Sequence, residues 1–396
     1  MVGVAFLADF IAVGFLFYSF GVFLPAIEAD LGATRAQVSW ALGLTNLAGS
    51  FAAPLIGRAL DRFPVRRIML FGSCLAATGF ALLSQVTALW QLLAVFGSFL
   101  ALGTMSMGNI TAAKLVANWF EVRRGTALGV ATVGISLSGL VMPPVATWLI
   151  LNVGWRSGFL VYAAGTLLVV APAALLFVVS RPEDVGQTPD GRPEPEPAPG
   201  VRARASASWR TREILRQPAF WGTVLPFALG FFANSAVLTH LVPHALDLGI
   251  DAYRAASVLS FVAAAGMAGK VTFGFVADRV GASRALALSL LLQLAGVAAF
   301  SAVERYPALV GTGLVFGLGM GGMVPLQAAM LASAFGRVSF GKAMGLMRPF
   351  QVPIHALGVP FAGYAFEATG DYTLAFQVFV VAYTLAIAAA LLLHRR

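Results

Sequence analysis

Gly57-Arg58-Ala59-Leu60-Asp61-Arg62-Phe63-Pro64-Val65-Arg66-Arg67 and Gly274-Phe275-Val276-Ala277-Asp278-Arg279-Val280-Gly281-Ala282-Ser283-Arg284 are two copies of one loop. Both read G-x-x-x-D-R, with a further basic residue five or six positions after the Asp. The copies lie 217 residues apart, and each follows the second apolar run of its half of the chain. One such motif is common by chance, but two at equivalent places signal a parallel internal repeat. The Asp carries the argument. Membrane topology asks for basic residues in such loops and has no use for an acid. An Asp there can cap a helix N-terminus or pair with an Arg, and such contacts hold one state of a moving protein and break in the other. Gly57, Asp61, Arg62 and Arg66, with Gly274, Asp278 and Arg279, are therefore read as conformational-switch loops.

The apolar runs around these loops fix the class. Residues 4–25, 38–55, 68–85, 89–112, 126–151 and 158–179 precede a polar gap, and 219–241, 255–274, 285–303, 308–332, 343–366 and 374–393 follow it. Each approaches the roughly 20 residues a bilayer-spanning helix needs. Over 396 residues, 59% are hydrophobic and 11% charged, against about 25% charged in a soluble domain. Mean hydropathy is +0.84. These values exclude a soluble enzyme, a disulfide scaffold and a disordered chain. The net charge of +9 lies in short loops between apolar runs, which is the membrane pattern and not a nucleic-acid face. The one cysteine, Cys74, excludes intramolecular disulfides and cysteine metal clusters. The expected fold is all-α, with twelve transmembrane helices in two six-helix bundles, 1–179 and 218–396. The Pro-, Glu- and Arg-rich gap 180–217 reads as a flexible cytoplasmic linker, with a short amphipathic helix over 209–216. No basic flank precedes the first run, so no cleavable leader is expected. Placing both termini inside puts 19 Lys and Arg on the inner side and 4 outside, which sets the orientation in the cell's inner membrane.

A third stretch narrows the class. Trp119-Phe120-Glu121-Val122-Arg123-Arg124-Gly125-Thr126-Ala127-Leu128-Gly129, running on to Gly134 and Gly139, resembles the fifth-helix signature of the monocarboxylate transporter family. Tyr18-Ser19-Phe20-Gly21-Val22-Phe23, Gly154-Trp155-Arg156, Arg181-Pro182-Glu183-Asp184-Val185-Gly186, Pro189-Asp190-Gly191 and Thr369-Gly370-Asp371-Tyr372 are similar to bacterial members of that family and of the neighbouring oxalate/formate exchanger group. The resemblance spans nearly the whole chain. It implies the major facilitator fold, with twelve helices around a central cavity, and transport of small organic anions, often with a proton. There are departures. The family's acidic, Gly- and Trp-rich motif at the first helix is absent. Where many animal members carry a Lys in the first helix, Tyr18 stands. Where they carry a substrate-facing Arg in the eighth helix with an Asp four residues earlier, this chain has Lys270 and Gly266.

Ionisable groups deep in a span are costly and mark function by default. Lys270 lies eight residues before Asp278, about 12 Å into the core at 1.5 Å per residue. A carboxylate substrate is its natural partner. Arg348, Gln351 and His355 share one face of the eleventh run, a polar stripe suited to a cavity. Lys270 and Arg348 together would suit a dicarboxylate, and one working cation a monocarboxylate. Tyr18, His240 and Asn109, with Ser106 on the same helix face as Asn109, complete the substrate-binding candidates. Asp9 is the proton-coupling candidate, although nine residues separate it from Tyr18, about 180° on an ideal helix. Lys114, close to a loop, is expected to snorkel.

The expected function is secondary active transport of small organic anions by alternating access, foremost monocarboxylates such as lactate or pyruvate with a proton. The alternatives are an oxalate-type dicarboxylate exchanger and a proton-driven drug exporter. Buried cations speak against the exporter, since cationic drugs need buried acids. No nucleophile–base set, metal-ligand cluster or G-x-x-x-x-G-K-[ST] loop is present, so no enzyme activity, cofactor, metal or nucleotide is expected. The expected partners are the anion, a proton and the lipid bilayer, with no nucleic acid, and the working unit a monomer.

Overall fold

The computed structural model describes residues 1–33, 35–191 and 209–392. Among these, nine continuous helical stretches are long and apolar enough to cross a membrane. Two of them are pairs. Arg124–Phe177 turns back at Gly154, where φ is +79°, and Tyr306–Thr369 turns back at Gly336, where φ is +67°. Only glycine adopts this backbone without strain, so one residue ends each helix and starts the next. A further helix, Arg35–Arg62, has 28 residues and therefore spans about 42 Å. Thr45, Asn46, Ser50 and Pro54 in its middle lower its hydropathy, and it falls outside the nine. The twelve helices are α1 (Val2–Leu31), α2 (Arg35–Arg62), α3 (Val65–Leu83), α4 (Leu89–Trp119), α5 (residues 124–153), α6 (155–177), α7 (Pro218–Asp247), α8 (Ala252–Val280), α9 (Ala282–Phe300), α10 (306–335), α11 (337–369) and α12 (Thr373–Leu392).

Contacts divide the chain into two compact units. The first comprises Met1–Val122, Ala131–Ser208 and Gly336–Arg348, the second Arg123–Val130, Trp209–Phe335 and Pro349–Arg396. Each unit thus includes the opening turns of one helix from the opposite half of the sequence, α11 in the first and α5 in the second.

Aromatic rings fill the core of the first unit. Phe15 stacks on Tyr162 at 4.1 Å and Phe23 on Phe159 at 4.6 Å, with Phe80 beside them. The packing explains a wide π turn at Gly14–Tyr18 in α1. Tyr162 donates to Ser19 Oγ over 2.7 Å, and Ser19 donates to the Gly14 carbonyl over 2.9 Å. The core of the second unit carries a polar chain. Tyr383 of α12 lies between Asn234 Oδ1 of α7 (3.0 Å) and Gln293 Oε1 of α9 (3.3 Å). Gln293 in turn donates to Ser289, and Ser289 donates to the Gly319 carbonyl of α10.

The segment after α6 is tied down further than its composition suggests. Asn118 and Trp119 donate to the carbonyls of Ser180 and Val179. Asp190 accepts from the backbone N–H groups of Glu121 and Val122, both at 2.8 Å. The composition of 180–217 predicts a flexible linker, yet residues 180–191 form a docked strap on the first unit. Two α4 side chains hold its start by the carbonyls, and Asp190 holds its end on the two backbone N–H groups of the turn after α4. Residues 192–208 lie outside the described residues. The expected short helix is observed as Thr211–Arg216, with Ile214 buried and Trp221 of α7 donating to the Leu215 carbonyl.

Candidate functional site

The two loop acids perform the same task in the two units. Asp61, at the end of α2, accepts from the backbone N–H of Gly341 (3.0 Å) and of Lys342 (2.8 Å), in the second turn of α11. Asp278, at the end of α8, accepts from Gly125 (2.6 Å) and Thr126 (2.8 Å), in the opening turn of α5. The Asp278 carboxylate meets N–H groups that the start of α5 leaves open, and both acids oppose the positive end of a helix dipole. Close glycine contacts sit beside each cap. A Cβ at Gly57 would fall on the Gly341 carbonyl, and one at Gly345 on the Ala53 carbonyl. A Cβ at Gly125 would fall on the Gly274 carbonyl, and one at Gly129 on the Lys270 carbonyl. Gly125-x-x-x-Gly129 and Gly341-x-x-x-Gly345 are thus a second internal repeat, 216 residues apart, and the receptor for the first. The pairing is not legible in either stretch alone, because its receptor is backbone N–H and bare glycine.

Lys114 overturns its expectation. It does not snorkel: it is 3% exposed and pairs with Asp61 Oδ1 at 2.9 Å, while also donating to the Arg337 carbonyl. The expected Arg partner of Asp61 is this Lys from α4. Among the basic loop residues, Arg62 is exposed, Arg66 donates to the Val178 carbonyl over 2.8 Å, and Arg279 lies over the Phe275 ring at 4.0 Å. Arg337 holds Glu121 (3.1 Å), Glu183 of the strap (2.9 Å) and the Asn118 carbonyl (2.9 Å).

Deeper in the second unit, Lys270 is 7% exposed on α8. The turn before it is packed against α10: a Cβ at Gly269 would fall on the Leu318 carbonyl, and one at Gly266 would lie 3.1 Å from Met320. The Gly at 266 therefore serves close helix approach, where an Asp would be crowded. Gln351 on α11 is 5% exposed and accepts from Gln327 Nε2 of α10 over 3.1 Å. Gln327 is a second residue missed from sequence, since nothing in its run marks it apart. His355 is exposed, with its ring 5.8 Å from that of Phe231. Both nitrogens of His240 are engaged, Nδ1 with the Tyr372 hydroxyl (3.1 Å) and Nε2 with the Val359 carbonyl (3.2 Å). That geometry gives His240 the role of a structural tie between α7, α11 and the loop before α12. Burial, then the Asp247 charge, raises the Tyr372 pKa, so its hydroxyl stays protonated in this tie.

In the first unit, Arg348 is half-buried on α11. Asp9 is 2% exposed and lies where α4 is interrupted. Gly108, at φ −104° and ψ −148°, breaks that helix, and a Cβ on it would sit 3.3 Å from Asp9 Oδ1. The break also means that Ser106 and Asn109 are not on one continuous helix, so their expected common face is interrupted. Asn109 begins the second segment, half-buried. Tyr18 is 41% exposed, its ring against Gly139 of α5. The π turn before it adds one residue without advancing the helix. That cuts the angle between Asp9 and Tyr18 from about 180° to about 80°, and removes the geometric objection to both facing one side.

The profile of the Major Facilitator Superfamily matches residues 6–300 and 247–396. Monocarboxylate transporter 13 of Rattus norvegicus is 30% identical over 367 residues, 91% of this chain and 80% of the relative. Monocarboxylate transporter 11 of Homo sapiens is 30% identical, over 91% of this chain and 75% of the relative. Among solved structures, the transporter FucP in its outward conformation aligns with a TM-score of 0.74 at 16% identity, covering 98% of this chain and 96% of that one. The human organic anion transporter MFSD10 aligns with a TM-score of 0.71 at 17% identity, covering 98% and 97%. These two structures show the fold, and the relatives show the branch: the chain belongs to the major facilitator superfamily, as a multi-pass membrane transporter related to the monocarboxylate transporters, and is not an enzyme.

Proposed function

We propose that the chain carries small monocarboxylates, such as lactate or pyruvate, together with a proton by alternating access, in the cell's inner membrane and with both termini cytoplasmic. One observation carries this reading: Lys270, an ammonium 7% exposed in α8, about 12 Å from the Asp278 loop by helix rise. An ionisable group at that depth marks a substrate or ion path by default, and an ammonium binds a carboxylate with charge-assisted hydrogen bonds. The names of the relatives support the same class. Asp9 is the acid for the proton, being buried beside the interrupted backbone of α4. The excess of Lys and Arg on one side supports the orientation. Arg348 favours a second reading, exchange of dicarboxylates, because a half-buried guanidinium on α11 would hold a second carboxylate bidentately.

Purified protein in liposomes tests this with labelled lactate, pyruvate, oxalate and malate, with and without an inward proton gradient. Gradient-stimulated uptake of a monocarboxylate is expected, and Asp9→Asn is expected to lose the stimulation while keeping exchange. Gradient-independent exchange of oxalate or malate would replace the symport reading by the second one. Movement of no anion would end both and leave drug export to be tested.

A further inference from the structure

Gln327 and Gln351 face each other across α10 and α11, 9% and 5% exposed. Two amides in this arrangement share one bond, from Gln327 Nε2 to Gln351 Oε1 at 3.1 Å. The other end of the Gln351 amide, Nε2, is buried and has no hydrogen-bond partner among the described residues. A buried donor without an acceptor is costly, and native proteins seldom keep one without a use for it. A neutral amide donor also differs in kind from a cation: it offers no charge to attract a carboxylate, and it fits an uncharged acceptor oxygen. Gln327 in turn fixes which end of Gln351 is presented, because its own N–H occupies Oε1.

We infer that Gln351 Nε2 is the donor that recognises the 2-oxo or 2-hydroxy oxygen of the substrate, and that Gln327 is a positioning residue that fixes which end of the Gln351 amide donates. The inference rests on the organic-anion reading above. It makes the substrate class 2-oxo and 2-hydroxy acids, bound by their carboxylate at a cation and by their second oxygen at Gln351. Plain short-chain acids, which lack that oxygen, leave the donor unmet and are disfavoured, as sites built on a hydrogen bond reject analogues without it.

The test is the ratio of the KM for propionate to the KM for pyruvate in proteoliposomes, which is internal to each variant and insensitive to how much protein folds. The parent is expected to favour pyruvate about tenfold, the worth of one hydrogen bond. Gln351→Met, of similar volume, is expected to bring the ratio near unity while both acids still move. Gln327→Met is expected to lower it part of the way, and Gln327→Met in the Gln351→Met background to change nothing more, because Gln327 acts through Gln351. A purely structural Gln327 would make Gln327→Met raise both KM values alike and leave the ratio alone. The inference is overturned if Gln351→Met keeps the parent's ratio, or if Gln327→Met shifts the ratio equally in both backgrounds. A parent that moves pyruvate and propionate equally, both lost in Lys270→Ala, overturns this inference and spares the organic-anion reading. A parent that moves neither overturns both.

Discussion

Replacing Asp61 with Asn should open the contact between α2 and α11 by about two orders of magnitude. The carboxylate holds two backbone N–H groups of α11 and the ammonium of Lys114, with side chains 7% and 4% exposed for the acid and the Lys. Asn keeps one acceptor but removes the charge. Lys114 then stays buried with the Arg337 carbonyl as its remaining partner there. Removing one partner of a buried pair costs about 3–5 kcal/mol. Because Asn keeps that acceptor, the lower figure applies, and about 3 kcal/mol corresponds to a factor of roughly 150. Leu60 reports on the opening: it is 3% exposed and would lie 3.1 Å from a Cβ at Gly341. The assay is the rate of maleimide labelling of Leu60→Cys in a Cys74→Ser background, since Cys74 is itself exposed. Asp61→Asn should raise that rate about a hundredfold. Asp30→Asn, which breaks an exposed pair with Arg156, should leave it unchanged. A rate within threefold of the parent after Asp61→Asn would refute the claim that this acid holds the start of α11.

Other outcomes follow from the same geometry. Gly129→Ala places a methyl on the Lys270 carbonyl, so thermal unfolding should show about 1–3 kcal/mol of lost stability; a neutral effect would mean that α5 and α8 are not in close contact. Arg337→Ala removes bonds to Glu121, Glu183 and Asn118 together and should speed amide hydrogen exchange in the strap, residues 180–191. Glu183→Ala, whose pair is 47% exposed on the acid side, should change stability by less than about 1 kcal/mol. Tyr372→Phe should cost about 1 kcal/mol through the lost bond to His240 with the transport KM unchanged; a raised KM at unchanged Tm would return His240 to the substrate path.

The helices and the repeat were legible because they are properties of composition and spacing: apolar runs of bilayer length, and G-x-x-x-D-R twice at equivalent places. What Asp61 and Asp278 hold was not legible, because a cap on backbone N–H groups leaves no side-chain signature in its receptor. The receptors announce themselves only through Gly125-x-x-x-Gly129 and Gly341-x-x-x-Gly345, read together. Lys114 was misjudged because distance from a loop does not tell which way a long side chain turns. An acid on the neighbouring helix decided it. The break at Gly108 and the π turn at Gly14–Tyr18 are invisible to a period of 3.6, and both change which side chains share a face. The 180–191 strap was hidden by a composition that also describes the stretch after it.

The central claim, that a buried ammonium on α8 receives the carboxylate of the substrate, is tested most directly by pyruvate uptake in proteoliposomes carrying the parent, Lys270→Arg or Lys270→Ala. The account predicts that Lys270→Ala loses uptake and that Lys270→Arg, which keeps the charge, retains a measurable part of it. Uptake by Lys270→Ala at the parent's rate and KM would contradict it.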